Sequence, residues 1–402
     1  MTRIAYISAD PGVPIFGRKG CSIHVQEVLR ALKKWNVQID LFAMNTAGPP
    51  HPGLGDIRLH PLPAPPKGDL ALREQECLAA NDSLSSALKR EGPFTFVYER
   101  YSLWSYAGVE YARSAGVPAL LEVNAPLIEE QAEYRVLVDR LSAVKTAERA
   151  FAAATTLLPV SAEVAAYLER FPGARGKTQV VPNAVRPERF PEGMKATLPA
   201  PAGVFTVGFV GTLKAWHGLS VLIEAFASLH AQCSATRLLI VGDGPERDAI
   251  SADIAARGLV EAAHLTGAVS PEQVPGLMAS MDVAVAPYPK LAHFYFSPLK
   301  VYEYMAARLP VVASRIGQLE NLIEPDVNGL LVPPGDASKL SEALERLRTE
   351  PEMRARLGRS GRDMVMRKYT WDSVAHRILQ LAGVDLPARS DIARPVIVSL
   401  HS

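Results

Sequence analysis

The residues best suited to chemistry in this chain lie between His293 and Gly317, HFYFSPLKVYEYMAARLPVVASRIG. Ser297-Pro298-Leu299-Lys300 has the composition of a helix start, since serine is a good N-cap and proline suits the first helical position. The spacing predicts a helix to about Arg308, then an apolar strand from Pro310, LPVVAS. A helix N-terminus gathers unpaired N–H groups and partial positive charge, which favours a phosphate. Lys300 adds a full charge in the first turn, the wrong sign for plain helix stability. Glu303 follows Leu299 by four residues and shares its face. A cation with an acid one turn deeper suits a ligand carrying both phosphate and hydroxyls. A plain helix with a solvated Lys and Glu is the competing reading.

The elements around this stretch alternate strand and helix. RIAYIS, the loop ADPGVPIFGRKG, a helix from about Ser22 to Trp35 and the strand VQIDLFAM form a βαβ opening. Its glycines, Gly17 and Gly20, do not fit G-x-G-x-x-G, which argues against a nicotinamide cofactor. Gly20, just before a Ser22 cap, would let a ligand approach the backbone. His24 in the first turn is either a ligand contact or a packed side chain. Ligands of open α/β sheets bind beyond the carboxyl ends of strands, which selects Glu99 and Arg100 after FTFVYER and Asn124 after PALLEV. Each could equally serve local hydrogen bonding. A long amphipathic helix is expected from about Glu130 to Ala153. The loop from Pro187, RPERFPEGMKATLPAPAG, is the best boundary, and a second βαβ series follows it. There GTLKAWHG and VGDGP (Gly242 and Gly244) place glycine turns at strand ends.

A chain of 402 residues is long for one domain, and two of about 200 residues are expected. With 48% hydrophobic and 21% charged residues, it has ample core for a soluble globular protein. The formal charge of +1, 43 basic against 42 acidic residues, gives no global field for nucleic acid. Cys21, Cys77 and Cys233 are scattered without metal-ligand spacing, which reads as reduced thiols in a cytoplasmic protein. No signal peptide and no apolar run of membrane-spanning length is present. Trp35 beside Lys33 and Lys34 leaves peripheral contact with a membrane surface open, against a solvated helix end.

The order of a glycine-bearing first loop, VPNAV, VGFVGTLK..HG, LLIVGDGP, LTGAV, D..VAP, SPLKVYEYMA..LPVVAS and NGLLVPPGD resembles the family 4 glycosyltransferases of the GT-B fold over nearly the whole chain. The resemblance implies an α/β protein of two Rossmann-like domains facing each other across a cleft. Residues 1–186 would form the acceptor domain, residues 187–369 the sugar-nucleotide domain, and a C-terminal helix within about 370–402 would cross back to the first. It implies transfer with retention of anomeric configuration and no required metal ion or other cofactor. The family's E-x7-E signature would end at Glu303, with the ribose as partner, and its first glutamate falls at Tyr295. Ser297 to Leu299 would offer backbone N–H groups to sugar and phosphate. In GTLKAWHG, Thr212 and His217 stand where the family has Arg and Lys, so Lys214 is the leading diphosphate ligand, with His217 and Lys300 next. The family's His-Asp pair would align near Asn124-Ala125. Gly242 to Gly244 would flank the nucleotide pocket, and Val269 would meet the base.

The expected function is therefore a cytoplasmic retaining glycosyltransferase that uses a nucleoside-diphosphate sugar and a hydroxyl acceptor. The departures at Tyr295 and Asn124 keep a non-catalytic sugar-nucleotide-binding relative in view, and less so a sugar-nucleotide epimerase. Nothing in the sequence names the sugar, the base (UDP, GDP or dTDP), the acceptor or the oligomeric state.

Overall fold

A computed structural model describes residues 2–386. The chain forms two compact α/β units. Of the described residues, the first unit holds those up to Asn183, the short segment Tyr295–Ser297 and residues 371–386; the second holds Ala184–Phe294 and Pro298–Thr370. The helix Trp371–Leu381 realises the expected return to the first unit, while the expected extension over 387–402 lies outside the described residues.

The strands of the first unit are β1 (Arg3–Ser8), β2 (Gln38–Ala43), β3 (Arg58–Pro61), β4 (Phe96–Arg100), β5 (Ala119–Val123) and β6 (Thr156–Pro159). They make one parallel sheet ordered β3-β2-β1-β4-β5-β6. Those of the second are β7 (Phe205–Val210), β8 (Thr236–Val241), β9 (Ala263–Leu265), β10 (Val283–Ala286), β11 (Val311–Ser314) and β12 (Leu330–Val332). Their order, β12-β11-β10-β7-β8-β9, repeats the same doubly wound topology. Central strands such as FTVGFV and VVAS are buried along their whole length, as helices on both faces of a parallel sheet require. Each unit has its own apolar core.

Local boundaries differ from the expectations where side chains found other partners. The first helix begins at Gly20 behind Lys19, and Ser22 lies inside it with its hydroxyl buried and not acting as a cap. The later helix runs Leu299–Ala306, behind Pro298 and without a side-chain cap. The helix begins one residue too late for Ser297 to sit at its N-cap, and the Ser297 hydroxyl instead accepts from the Asn183 backbone N–H at 3.0 Å. The helix stops early because Arg308 turns to a positive φ of 62°. The single helix expected over 130–153 is two, Leu127–Tyr134 and Arg140–Ala153, the second capped by Asp139 accepting from Ser142 N–H. Around the first helix's end, Lys33 pairs with Asp56, Lys34 with Asp372 at 2.9 Å, and the Trp35 ring packs on His376.

Candidate functional site

In the second unit the turns after β7 and β8 lock together through their backbones. Leu213 N–H donates to Asp243 O at 3.0 Å and Glu246 N–H to Leu213 O at 3.1 Å. The approach is so close that a Cβ on Gly242 would lie 2.1 Å from Gly211 O, and one on Gly244 would lie 2.4 Å from Leu213 O. A third strand end joins where Gly242 pairs with Gly267, which brings the half-buried Val269 segment alongside. Gly218 ends the β7 turn at φ +68°, with Pro287 O only 1.8 Å from where a Cβ would be. This frame holds Lys214 and His217 between Gly211 and Gly218.

The cations here sit in different states. Lys214 Nζ lies 4.4 Å from the Trp216 ring centroid on a half-buried side chain. His217 Nδ1 is 2.6 Å from Thr212 O, so Nδ1 carries the hydrogen and Nε2 keeps a lone pair. Burial, then the neighbouring Lys300 charge, pushes His217 down to about 3, and the imidazole is neutral at physiological pH. Lys300 Nζ is 4.3 Å from the Phe209 ring centroid and 5.7 Å from that of Tyr288. Its ammonium is buried without a hydrogen-bond partner, and burial pushes it down to about 7. The uncapped start of helix Leu299–Ala306 carries this lysine as its second residue. Deeper in the same helix, the Glu303 carboxylate pairs with Arg189.

In the first unit, Glu122 on β5 is the hub of a buried polar cluster. Arg100 stands beside it in register on β4 and donates to Oε1 at 2.7 Å. His24 Nε2 lies 2.8 Å from Oε2, and Tyr98 and Asn124 donate to the same carboxylate. His24 Nδ1 faces Asn183 Oδ1 at 2.6 Å, and Asn183 in turn donates its amide to Ser297 O. Both His24 ring nitrogens thus face side-chain oxygens. The ring edge packs on Trp371, with ring centroids 5.0 Å apart. Burial would raise Glu122, yet the His24 and Arg100 charges and the bonds from His24 and Tyr98 outweigh it and hold the carboxyl well below its usual range.

The structure brings His24, Arg100 and Asn124 together, and separately Lys214, His217, Gly242, Gly244 and Lys300, with Leu299, Glu303 and Val269 on adjoining segments. Others stand apart. Glu99 points to the opposite sheet face from Arg100, where it accepts from Ser105 Oγ at 2.5 Å and Val109 N–H at 3.2 Å. Burial raises it to about 7. Gly20 is exposed, with open space where a Cβ would be. Tyr295 and Ser297 belong to the first unit: Tyr295 OH donates to Glu130 at 2.9 Å and its carbonyl accepts from Ser161 Oγ at 3.0 Å.

Sequence reasoning passed over Glu122, Asn183, Arg189 and Trp371. A glutamate inside the buried run PALLEV was the available signal for Glu122, because a charge in such a strand needs partners. Asn183 lay in the VPNAV motif. Arg189 carried no local signal, since its partner Glu303 is 114 residues away.

Two doubly wound units of this topology are those of the GT-B fold. Residues 18–189 match the model for "Glycosyltransferase Family 4", and residues 204–350 match that for "Glycosyl transferases group 1". The chain belongs to the family 4 glycosyltransferases. It is 26% identical over 396 residues to the D-inositol 3-phosphate glycosyltransferase of Stackebrandtia nassauensis, covering 92% of this chain and 88% of that one. Sucrose-phosphate synthase from Thermosynechococcus elongatus shares the fold with a TM-score of 0.72 at 23% identity, over 95% of this chain and 98% of that one. HepE from Anabaena, solved in complex with UDP-glucose, aligns with a TM-score of 0.67 at 19% identity, over 95% and 100% of the two chains.

Proposed function

We propose that this glycosyltransferase takes its sugar from a nucleoside-diphosphate donor held in the second unit and transfers it to a hydroxyl acceptor with retention of configuration. The supporting observation is the cradle of the second unit: glycine turns in backbone contact, Lys214 and Lys300 nearby, and a helix that starts without a cap. Free N–H groups and amines of this kind favour phosphate oxygens. Glu303 would accept from the ribose hydroxyls one linkage away from that phosphate. The complex of HepE with UDP-glucose supports the same class of donor in a protein of this fold.

In the proposed reaction the bond between the anomeric carbon and the diphosphate oxygen breaks as the acceptor oxygen bonds to the same face of that carbon. The hydroxyl proton passes to the leaving phosphate. Negative charge grows on the diphosphate, and fixed cations and N–H dipoles aimed at it stabilise the transition state. His24, Arg100 and Asn124 of the first unit are assigned to the acceptor side; their order through Glu122 would hold the acceptor hydroxyl in place. The test is a binding and turnover panel of UDP-, GDP- and dTDP-sugars. One nucleotide should bind, with its sugar released slowly to water or transferred to an added acceptor. Failure of every nucleoside diphosphate to bind would reject the reading.

A further inference from the structure

Lys300 is the least explained ionisable group of the second unit. It lies in the first turn of its helix, where a cation opposes the dipole. Part of the side chain is exposed, but Nζ is buried and donates to nothing. A Cβ added to Gly211 would come within 2.9 Å of that nitrogen, so the amine is pressed against the very turn that carries Lys214 and His217. Two aromatic faces offer it partial compensation. A buried cation without hydrogen bonds is costly, and the group escapes that cost by giving up its proton.

The groups around it cannot substitute for that proton. On the β7 side stand Phe209, Gly211, Lys214 and His217, and His217 is already neutral with Nδ1–H tied to Thr212 O. After β10 comes Tyr288, whose hydroxyl burial pushes upward, away from ionisation. On its own helix, Tyr304 OH is engaged with the backbone of Val210 and Glu303 with Arg189. We propose that Lys300 collects a proton when the donor's diphosphate binds, turning a neutral buried amine into the ammonium that faces the phosphate, while His217 stays uncharged. The inference rests on the reading of the second unit as the donor site.

The sign follows from the free amine sitting near about 7. An arriving phosphate favours the charged form and raises that value. Between the free and the bound values the complex therefore holds one more proton than its parts. Below the free value the amine is already charged and uptake disappears. Affinity for the diphosphate should accordingly fall as pH rises above about 7, by up to roughly tenfold per unit.

The experiment is titration calorimetry of the intact enzyme with the nucleoside diphosphate that binds, in buffers of different ionisation enthalpy. At about pH 8 the ligand's own phosphate, with a second ionisation near 6, contributes little. We expect uptake approaching one proton per complex there, falling to roughly half a proton at about pH 7. Lys300→Arg keeps a cation that does not deprotonate, and should bind with no uptake. His217→Asn should leave uptake unchanged. Wild-type binding at about pH 8 without proton uptake, uptake that persists in Lys300→Arg, or uptake lost in His217→Asn overturns the inference while leaving the donor site standing. If no nucleoside diphosphate binds at all, the donor-site reading itself fails. The wild-type measurement decides even if a Lys300 variant does not fold.

Discussion

Arg189 donates to Glu303 Oε1 with one guanidinium nitrogen and to the carbonyl of Pro271, at 3.0 Å, with another. The pair is mostly shielded, with 12% and 17% of the two side chains exposed. Held by Arg189, the carboxylate keeps a fixed direction, and its second oxygen is the one proposed to accept from a ribose. Glu303→Gln retains the shape but exchanges one acceptor for a donor and removes the charge. Nucleotide affinity should drop roughly tenfold, about 1.4 kcal/mol. The 2′-deoxy nucleotide should bind the wild type worse and show a much smaller penalty in the variant. Those four affinities form a cycle; simple additivity would mean that Glu303 does not touch the ribose.

Lys214 stands on the Trp216 ring and is available to a ligand. Lys214→Ala should weaken nucleoside diphosphate binding by about 1.5–3 kcal/mol, the range for a hydrogen bond to a charged group. Binding of the bare nucleoside should barely change. Equal losses for both ligands would assign the side chain to support of the turn.

Glu122 compensates Arg100 and His24 together. Glu122→Gln leaves the buried Arg100 guanidinium facing a neutral amide, and should cost about 3–5 kcal/mol of unfolding free energy near neutral pH. In the wild type the depressed carboxyl contributes stability that is complete above its ordinary value of 4.5 and declines as pH falls from there towards the lower folded value. The gap between wild type and variant should therefore narrow under acid denaturation. A variant as stable as wild type at neutral pH would contradict the hub role.

Glu99 is the opposite case. Its carboxyl is raised to about 7 from 4.5, so folding favours the protonated form. Its contribution to stability declines as pH rises between those values and stays low above them. Glu99→Gln mimics the protonated state. Relative to wild type, the variant should gain about 1–3 kcal/mol on moving from acidic to mildly alkaline buffer. Chemical denaturation at both ends checks this, and an unchanged difference would show that Glu99 is ionised in the fold.

Most of the architecture was readable because buried parallel strands announce themselves as apolar runs, and glycine turns mark their ends. VFTVGFVG and LLIVGDGP gave both the strands and the turns that hold Lys214. What the sequence concealed was the choice of partner. Ser297 has the right chemistry for a cap, and only the fold shows that its hydroxyl serves Asn183 instead. Lys300 was legible as a candidate phosphate ligand, but nothing in SPLK tells that Phe209 and Tyr288 will cover its amine. Arg100 and Glu99 are adjacent in sequence, yet strand alternation sends one to the polar cluster and the other under the helix Ala107–Ala115.

The central claim is retaining transfer from a nucleoside-diphosphate sugar. The most direct test is NMR of the product formed from the donor that binds, with an accepted alcohol or sugar supplied as acceptor. The account predicts a glycoside of the same anomeric configuration as the donor, together with one equivalent of nucleoside diphosphate. A product of inverted configuration, or sugar transfer that proceeds without release of nucleoside diphosphate, would contradict it.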